Sequence, residues 1–283
     1  MNIQQLLNKG YEILKENNVD SYMIDCQLLL SKVLRVDRLS IIVNRDLIVE
    51  EDKIDEFLGL INLRKNKMPI KYILGNSEFM GIDFIVRPGV LIPRPDTEIL
   101  VEEVLKLIEE NKFTKICDVC CGSGAIGVSI GKLNESTKVE CYDISDTACE
   151  VTDENIKALA LQERVKVVHS DLLQEAILSK KIFEVIVSNP PYIREAVIPT
   201  LMEDVKNFEP YIALSGGRDG LEFYKRITAE SIDTLIKGGI LAFEIGHDQK
   251  EEVSGILHEN GFSNIRCIKD LAGNDRVIVG ILK

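Results

Sequence analysis

Apolar positions in the first 67 residues recur at helical spacing. Leu6, Leu7, Tyr11 and Leu14 make one stripe, and Leu28, Leu29, Val33 and Leu34 repeat it after a break at Val19-Asp20-Ser21. Glu50-Glu51-Asp52 places acid at the start of a third helix carrying Ile54, Phe57, Leu58 and Ile61, where the helix dipole favours negative charge. The stripes predict a small all-α domain over 1–75, with Met68-Pro69 ending the helical bundle. Residues 76–95 read as a connector with a β-hairpin: Phe79 to Val86 is strand-like, Pro88-Gly89 is a turn and Val90-Leu91-Ile92 follows it. After Pro93-Arg94-Pro95, Asp96 or Thr97 is placed to cap a helix through Leu100, Val104, Leu105 and Ile108.

From residue 115 the period alternates. Strands read at 115–119, 138–143, 164–169, 183–189, 239–245, 263–269 and 275–282, and helices at 124–133, 146–160, 219–237 and 248–260. Such alternation predicts an α/β fold over 96–283: a doubly wound, mostly parallel, seven-stranded sheet. The last two strands are joined by a short loop around Gly273-Asn274, so they should pair antiparallel.

A length of 283 residues favours two domains, and 45% hydrophobic with 28% charged residues is ordinary for a globular protein. The formal net charge of −12 is poorly matched to a long polyphosphate, so no direct nucleic acid binding is expected. No apolar run reaches membrane-spanning length. The opening MNIQQLLNKG lacks a basic segment followed by an apolar one. Seven cysteines without a secreted spacing fit reduced thiols in the cytoplasm. Cys117, Cys120, Cys121 and Cys141 have no second Cys-x-x-Cys or histidine pair to close a tetrahedral site, so no metal is expected. His169, His247 and His258 are scattered and form no hydrolytic arrangement.

The chemistry concentrates in Asn189-Pro190-Pro191-Tyr192, where the strand Phe183–Val187 runs out. The Asn189 amide carbonyl can accept a hydrogen bond from a substrate –NH2 group. The prolines stop the strand and stiffen the turn while leaving their carbonyls free. Tyr192 adds a flat apolar wall with a polar tip. Such an assembly suits a planar, uncharged amino group: an amide or a nucleobase amine. Upstream, Asp118-Val119-Cys120-Cys121-Gly122-Ser123-Gly124 links a strand to a helix, and Gly122 and Gly124 let the backbone approach a ligand. Asp143 ends the next strand, where a carboxylate can take ribose hydroxyls. Asp171 and Leu172 follow the third strand, at the place of an adenine edge. Gly122-x-Gly124-x-x-Gly127 keeps a nicotinamide dinucleotide site open, although hydride transfer has no evident use for the amide clamp.

With these residues the chain resembles the S-adenosylmethionine-dependent methyltransferases, and closely the HemK/PrmC family that methylates glutamine in peptide chain release factors. Nearly the whole chain takes part. The shared segments include 69–75, Leu91-Ile92-Pro93-Arg94-Pro95-Asp96-Thr97-Glu98, 213–220, Phe243-Glu244-Ile245-Gly246 and Asp270-Leu271-Ala272-Gly273-Asn274-Asp275-Arg276. The resemblance implies a class I methyltransferase domain preceded by a helical domain that helps hold the release factor. Cys120, Cys121, Gly122, Ser123, Gly124, Asp143, Leu172, Asn189 and Thr97 would occupy cofactor-contact positions. S-adenosyl-L-methionine would be the cofactor and S-adenosyl-L-homocysteine the product. Asn189, Pro190, Pro191 and Tyr192 would hold the glutamine of the Gly-Gly-Gln loop in class I release factors, with Asn189, Pro190 and Tyr192 carrying the catalysis. Arg94, Thr97 and Glu98 would lie over the methionine end of the cofactor, or else merely start a helix. Cys120 departs from the glycine common in the family, and its side chain would crowd that end.

A sulfonium methyl is already electrophilic, so the expected mechanism needs no metal, covalent intermediate or strong base. Two acceptors, the Asn189 side-chain carbonyl and the Pro190 backbone carbonyl, would orient the amide nitrogen and stabilise its developing positive charge. Two other readings compete. An adenine-amine methyltransferase acting on DNA or RNA shares the tetrapeptide, but would want stacking aromatics and a basic track; aromatics are 6% and Trp is absent. A catalytically silent cofactor-binding scaffold has only Cys120 in its favour.

Overall fold

In the computed structural model, which describes residues 1–283, the chain divides into two units. One comprises Met1–Asn76 with Met202–Phe208, the other Ser77–Leu201 with Glu209–Lys283. The first unit contains α1 (Ile3–Glu16), α2 (Tyr22–Leu34), α3 (Arg38–Val43), α4 (Glu51–Lys65) and α5 (Ile70–Leu74). An Asn2/Gln5 capping box starts α1 by satisfying two otherwise unpaired N–H groups. The predicted stripes close on one another through Leu6, Leu14, Leu29, Leu30, Phe57 and Ile61. Asp25 on α2 accepts from Arg64 on α4 at 2.7 Å and from Ser21 at 2.7 Å. Both charges are buried, so removing either would strand the other.

Two helices depart from the sequence expectation. The six-residue α3 buries only Ile41, too little to leave a periodic signal. Pro69 does not end the helical region; it occupies the N-cap of α5, next to the first helical position where proline's missing N–H costs nothing.

A hairpin of β1 (Asn76–Phe79) and β2 (Ile82–Ile85), whose first residue closes the first unit, is followed in the second unit by α6 (Glu98–Asn111). Val90, Leu91 and Ile92 form no strand. Alternation then runs β3 (Lys115–Val119), α7 (Ala125–Leu133), β4 (Lys138–Asp143), α8 (Asp146–Ala158), β5 (Val165–His169), α9 (Gln174–Leu178) and β6 (Phe183–Ser188). The short helix α10 (Glu203–Phe208) falls in the segment grouped with the first unit. After it come α11 (Tyr211–Leu214), α12 (Glu222–Ser231), β7 (Leu235–Glu244), α13 (Lys250–Glu259), β8 (Phe262–Lys269) and β9 (Asp275–Leu282).

The seven strands are ordered β5-β4-β3-β6-β7-β9-β8, and β9 runs antiparallel to both β7 and β8. Side chains alternate between two apolar layers, Val185 and Val187 of β6 entering one and Ile186 the other, as a sheet covered on both faces requires. β7 begins at Leu235, whereas the sequence suggests helix through 237. The pairing with β6 shifts register between Phe183/Leu235 and Val185/Ile240. A bulge at Lys237-Gly238-Gly239 thus separates the first strand residues from the rest, which hides them from a periodicity reading. Strand order reverses beside β3, since its neighbours β4 and β6 lead outward in opposite directions. That switch point opens a crevice at the carboxyl ends of the strands.

Candidate active site

The crevice is lined by the residues after β3, β4, β5 and β6, including Cys120, Gly122, Asp143, Leu172, Asn189 and Pro191. Cys120 stands in the left-handed region at φ 61, a conformation that costs an L-residue about 1–2 kcal/mol. The strain turns the backbone so that Gly122 N–H donates to Asp143 Oδ2 at 2.9 Å. Ser145 N–H donates to Asp143 Oδ1 at 2.9 Å. Each carboxylate oxygen has more than one acceptor site, and Asp143 lines the crevice. Burial raises the Asp143 pKa, and the backbone N–H groups of Gly122, Ser145 and Ile144 oppose that rise. Cys121, Ser123 and Gly124 are buried behind this wall, shaping the loop. The thiols at Cys117, Cys120 and Cys121 are pushed upward, the first two chiefly by burial and Cys121 by its contact with Cys141 and then by burial. They are neutral thiols packed around the turn.

Gly127 is a packing residue. A Cβ there would lie 2.6 Å from Cys141 Sγ and 2.9 Å from Asp118 Cβ, so glycine lets α7 press against β3 and β4. Gly127 N–H also donates to Asp118 Oδ2 at 2.8 Å, while Oδ1 has no partner. Burial pushes the Asp118 pKa up to about 8, against that hydrogen bond and with help from the Asp143 charge. The folded state thus holds a proton that the unfolded chain releases near the ordinary value of 3.8. This contribution is fully present below the unfolded pKa and is lost as pH rises toward 8. Denaturant unfolding of Asp118→Asn should show a shallower decline in stability across that window than the unsubstituted protein, by up to about 1.4 kcal/mol per pH unit. Parallel curves would contradict the assignment.

At the far end of the crevice, Arg226 of α12 donates to both oxygens of Asp171 at 2.8 Å. The Asp171 carboxylate is thereby engaged, and the Leu172 backbone N–H, at φ 50, remains without a partner in the chain. Phe223, Val90 and Leu91 add apolar wall. None of these three, nor Arg226, stands out in the sequence, because each reaches the crevice from a loop or a helix face defined only by tertiary packing.

The Asn189–Tyr192 turn is braced from two sides. Ile193 N–H donates to Leu214 O at 3.0 Å, and Gly216 N–H donates to Ile193 O at 2.9 Å. A Cβ on Gly216 would stand 2.7 Å from Tyr192 Cα and 2.8 Å from Pro191 O, so only glycine lets segment 213–217 lie on the turn. From below, Asn189 Nδ2 donates to Thr97 Oγ1 at 3.3 Å, and Thr97 Oγ1 donates to Glu244 Oε2 at 2.6 Å. Tyr192 Oη donates to Glu244 Oε1 at 3.3 Å. Asn189 Oδ1 and the Pro190 carbonyl accept no hydrogen bond from the chain. Pro190 is buried and Tyr192 half-buried, both set back from the crevice wall.

Thr97 stands at the N-cap of α6 but makes no capping bond; the nearby carboxylate of Glu244 takes its hydroxyl instead. Arg94 donates to the buried Glu209 at 2.5 Å, and Glu98 accepts from Met80 N–H at 2.7 Å. A larger concavity of about 590 Å³ lies at the opposite ends of the strands among Lys115, Lys138, Arg164, Lys166 and Lys181. Glu140 neutralises two of those lysines.

The profile of the methyltransferase small domain matches residues 94–205, and that of the PrmC N-terminal domain matches residues 5–75. A release factor glutamine methyltransferase of Clostridium botulinum is 57% identical over 278 residues, covering 98% of each chain. Its counterpart in Clostridium acetobutylicum is 52% identical over 281 residues, covering 99% of each. A methyltransferase from Pyrococcus furiosus shares the fold at TM-score 0.52 and 18% identity, over 72% of this chain and 90% of that one. A T. thermophilus 16S rRNA methyltransferase solved with AdoMet and guanosine does so at TM-score 0.53 and 16% identity, over 74% and 50%.

Proposed function

The chain belongs to the release factor glutamine methyltransferase family, and from that premise we propose that it methylates the side-chain amide nitrogen of the glutamine in the Gly-Gly-Gln motif of class I peptide chain release factors. The observation that carries this reading is the orientation of Asn189. Its amide nitrogen is tied to Thr97, which turns its unpaired carbonyl toward the crevice that Asp143 shares. S-adenosyl-L-methionine, when bound, supplies a methyl group on positively charged sulfur. The residues present fit that cofactor. Two carboxylate lone pairs of Asp143 suit the ribose hydroxyls, the Leu172 N–H suits an adenine ring nitrogen, and Phe223, Val90 and Leu91 suit the flat faces. Cys120 and Gly122 form the loop wall, with Cys121, Ser123 and Gly124 holding its shape.

On the substrate side, the Asn189 carbonyl and the Pro190 carbonyl accept the two amide hydrogens. Held this way, the amide plane is fixed and its nitrogen faces the cofactor side. As positive charge grows on nitrogen, both acceptors strengthen their hydrogen bonds, lowering the barrier more than the ground state. The proton then leaves to water, because an N-protonated amide is strongly acidic. Tyr192, anchored to Glu244, backs the clamp. No helix is long and apolar enough to cross a membrane; a translation factor as substrate supports a cytoplasmic reaction.

Incubation with methyl-labelled cofactor and a purified class I release factor tests this reading. Label is expected on the Gly-Gly-Gln glutamine by peptide mass spectrometry, and a factor with alanine there should stay unlabelled. Label that instead appears on DNA or RNA would turn the assignment to the adenine-amine reading.

A further inference from the structure

Segments far apart in the sequence meet behind Asn189. Thr97 comes from the turn before α6, Glu244 ends β7, and Asn189 and Tyr192 follow β6. Glu244 is 2% exposed and Thr97 5%. A threonine hydroxyl has one hydrogen, and here it points at Glu244 Oε2, 2.6 Å away. With that hydrogen committed, Thr97 Oγ1 can only accept from Asn189. The amide nitrogen must then be the end facing Thr97, and the carbonyl the end facing the crevice. Tyr192 Oη takes the other Glu244 oxygen, which leaves the carboxylate no freedom to rotate away. Behind it, Arg276 is gripped by Asp270 at 3.0 Å and reaches Asp96, the neighbour of Thr97, at 3.2 Å.

We propose that Glu244 is a positioning residue that sets, through the Thr97 hydroxyl, which end of the Asn189 amide meets the substrate. The inference rests on the methyl-transfer reading above and deepens it. Oxygen and nitrogen of an asparagine amide are nearly the same size, so sterics cannot choose between the two orientations. The wrong one would present –NH2 to the substrate's –NH2, two donors face to face. A carboxylate only accepts, so its sign propagates without ambiguity: Glu244 accepts, Thr97 donates to it, and Thr97 accepts from Asn189. This also gives Thr97 a role behind the clamp in place of the expected cofactor contact, in keeping with its position off the crevice wall.

Glu244→Gln is nearly isosteric but adds a donor. The introduced amide can donate to Thr97, which frees the Thr97 hydroxyl to donate to Asn189, so both orientations of the asparagine become accessible. The expected result is a fall in kcat of about tenfold or more, with KM for the release factor and cofactor affinity within about threefold. Thr97→Val should behave alike, and Thr97→Ser, which keeps the hydroxyl, should restore most of the rate. The decisive readout is a double-mutant cycle. In an Asn189→Ala background, Glu244→Gln and Thr97→Val should cost nothing further. Equal costs in both backgrounds would mean that the two residues serve the fold rather than Asn189, and would overturn the proposal.

A substrate-independent arm separates this inference from the reading beneath it. In ¹⁵N NMR of the cofactor-free protein, the Asn189 side-chain amide should exchange slowly with solvent and lose that protection in Thr97→Val. If no release factor is labelled by the unsubstituted enzyme, the functional reading fails and this measurement still judges the hydrogen-bond chain. Unchanged protection in Thr97→Val would refute it.

Discussion

Asn189→Ala is expected to lower methyl-transfer turnover by about 10²–10³-fold, the usual effect of removing one preorganised partner from a developing charge. The carbonyl it deletes is unpaired within the chain and belongs to a residue that lines the crevice. The Pro190 carbonyl alone leaves the substrate –NH2 free to rotate about the remaining hydrogen bond, which adds an orientational loss to the electrostatic one. Cofactor affinity should change only a few-fold, because Asp143 and the Leu172 N–H lie at the ends of other strands. Single-turnover kinetics with titration calorimetry separates the two quantities. Turnover near the unsubstituted value would remove the clamp from the mechanism.

Asp143→Ala carries the second large effect, on binding rather than chemistry. Hydrogen bonds to a charged acceptor contribute about 1.5–3 kcal/mol each. Losing two of them, partly replaced by water, should cost about 2–4 kcal/mol, or about 30- to 1,000-fold in the Kd for S-adenosyl-L-methionine. The same carboxylate holds Gly122 N–H and Ser145 N–H, so the loop wall loosens as well. Asp143→Asn keeps one acceptor for the backbone and should fall between the two. Calorimetry giving the same Kd for Asp143→Ala and the unsubstituted protein would dismiss the ribose assignment.

The two predictions differ because the crevice draws its parts from different strand ends. Strand ends are also what the sequence displays best. Asp143 ends β4, Asn189 directly follows β6 and Asp171 lies two residues past β5, and parallel strands entering one sheet must bring those ends to one side. The helical stripes of 1–67 are legible for the same reason: burial on one face imposes a local period. α3 and the start of β7 are illegible because that period is too short in one and broken by a bulge in the other.

Roles that depend on who stands opposite are another matter. Thr97 reads as a helix cap by position, yet its hydroxyl serves a carboxylate 147 residues away. Glu244 reads as one more acid at a strand end, and only its burial against Thr97 and Tyr192 gives it a task. Phe223 and Arg226 lie on a helix whose apolar face looks ordinary until α12 is packed into the fold.

Local chain chemistry was enough to specify where the backbone turns and which atoms a ligand could touch, since φ restrictions and apolar periods act between near neighbours. The direction in which those atoms point came from packing between distant segments, because a hydrogen-bond donor has no orientation until its acceptor is in place.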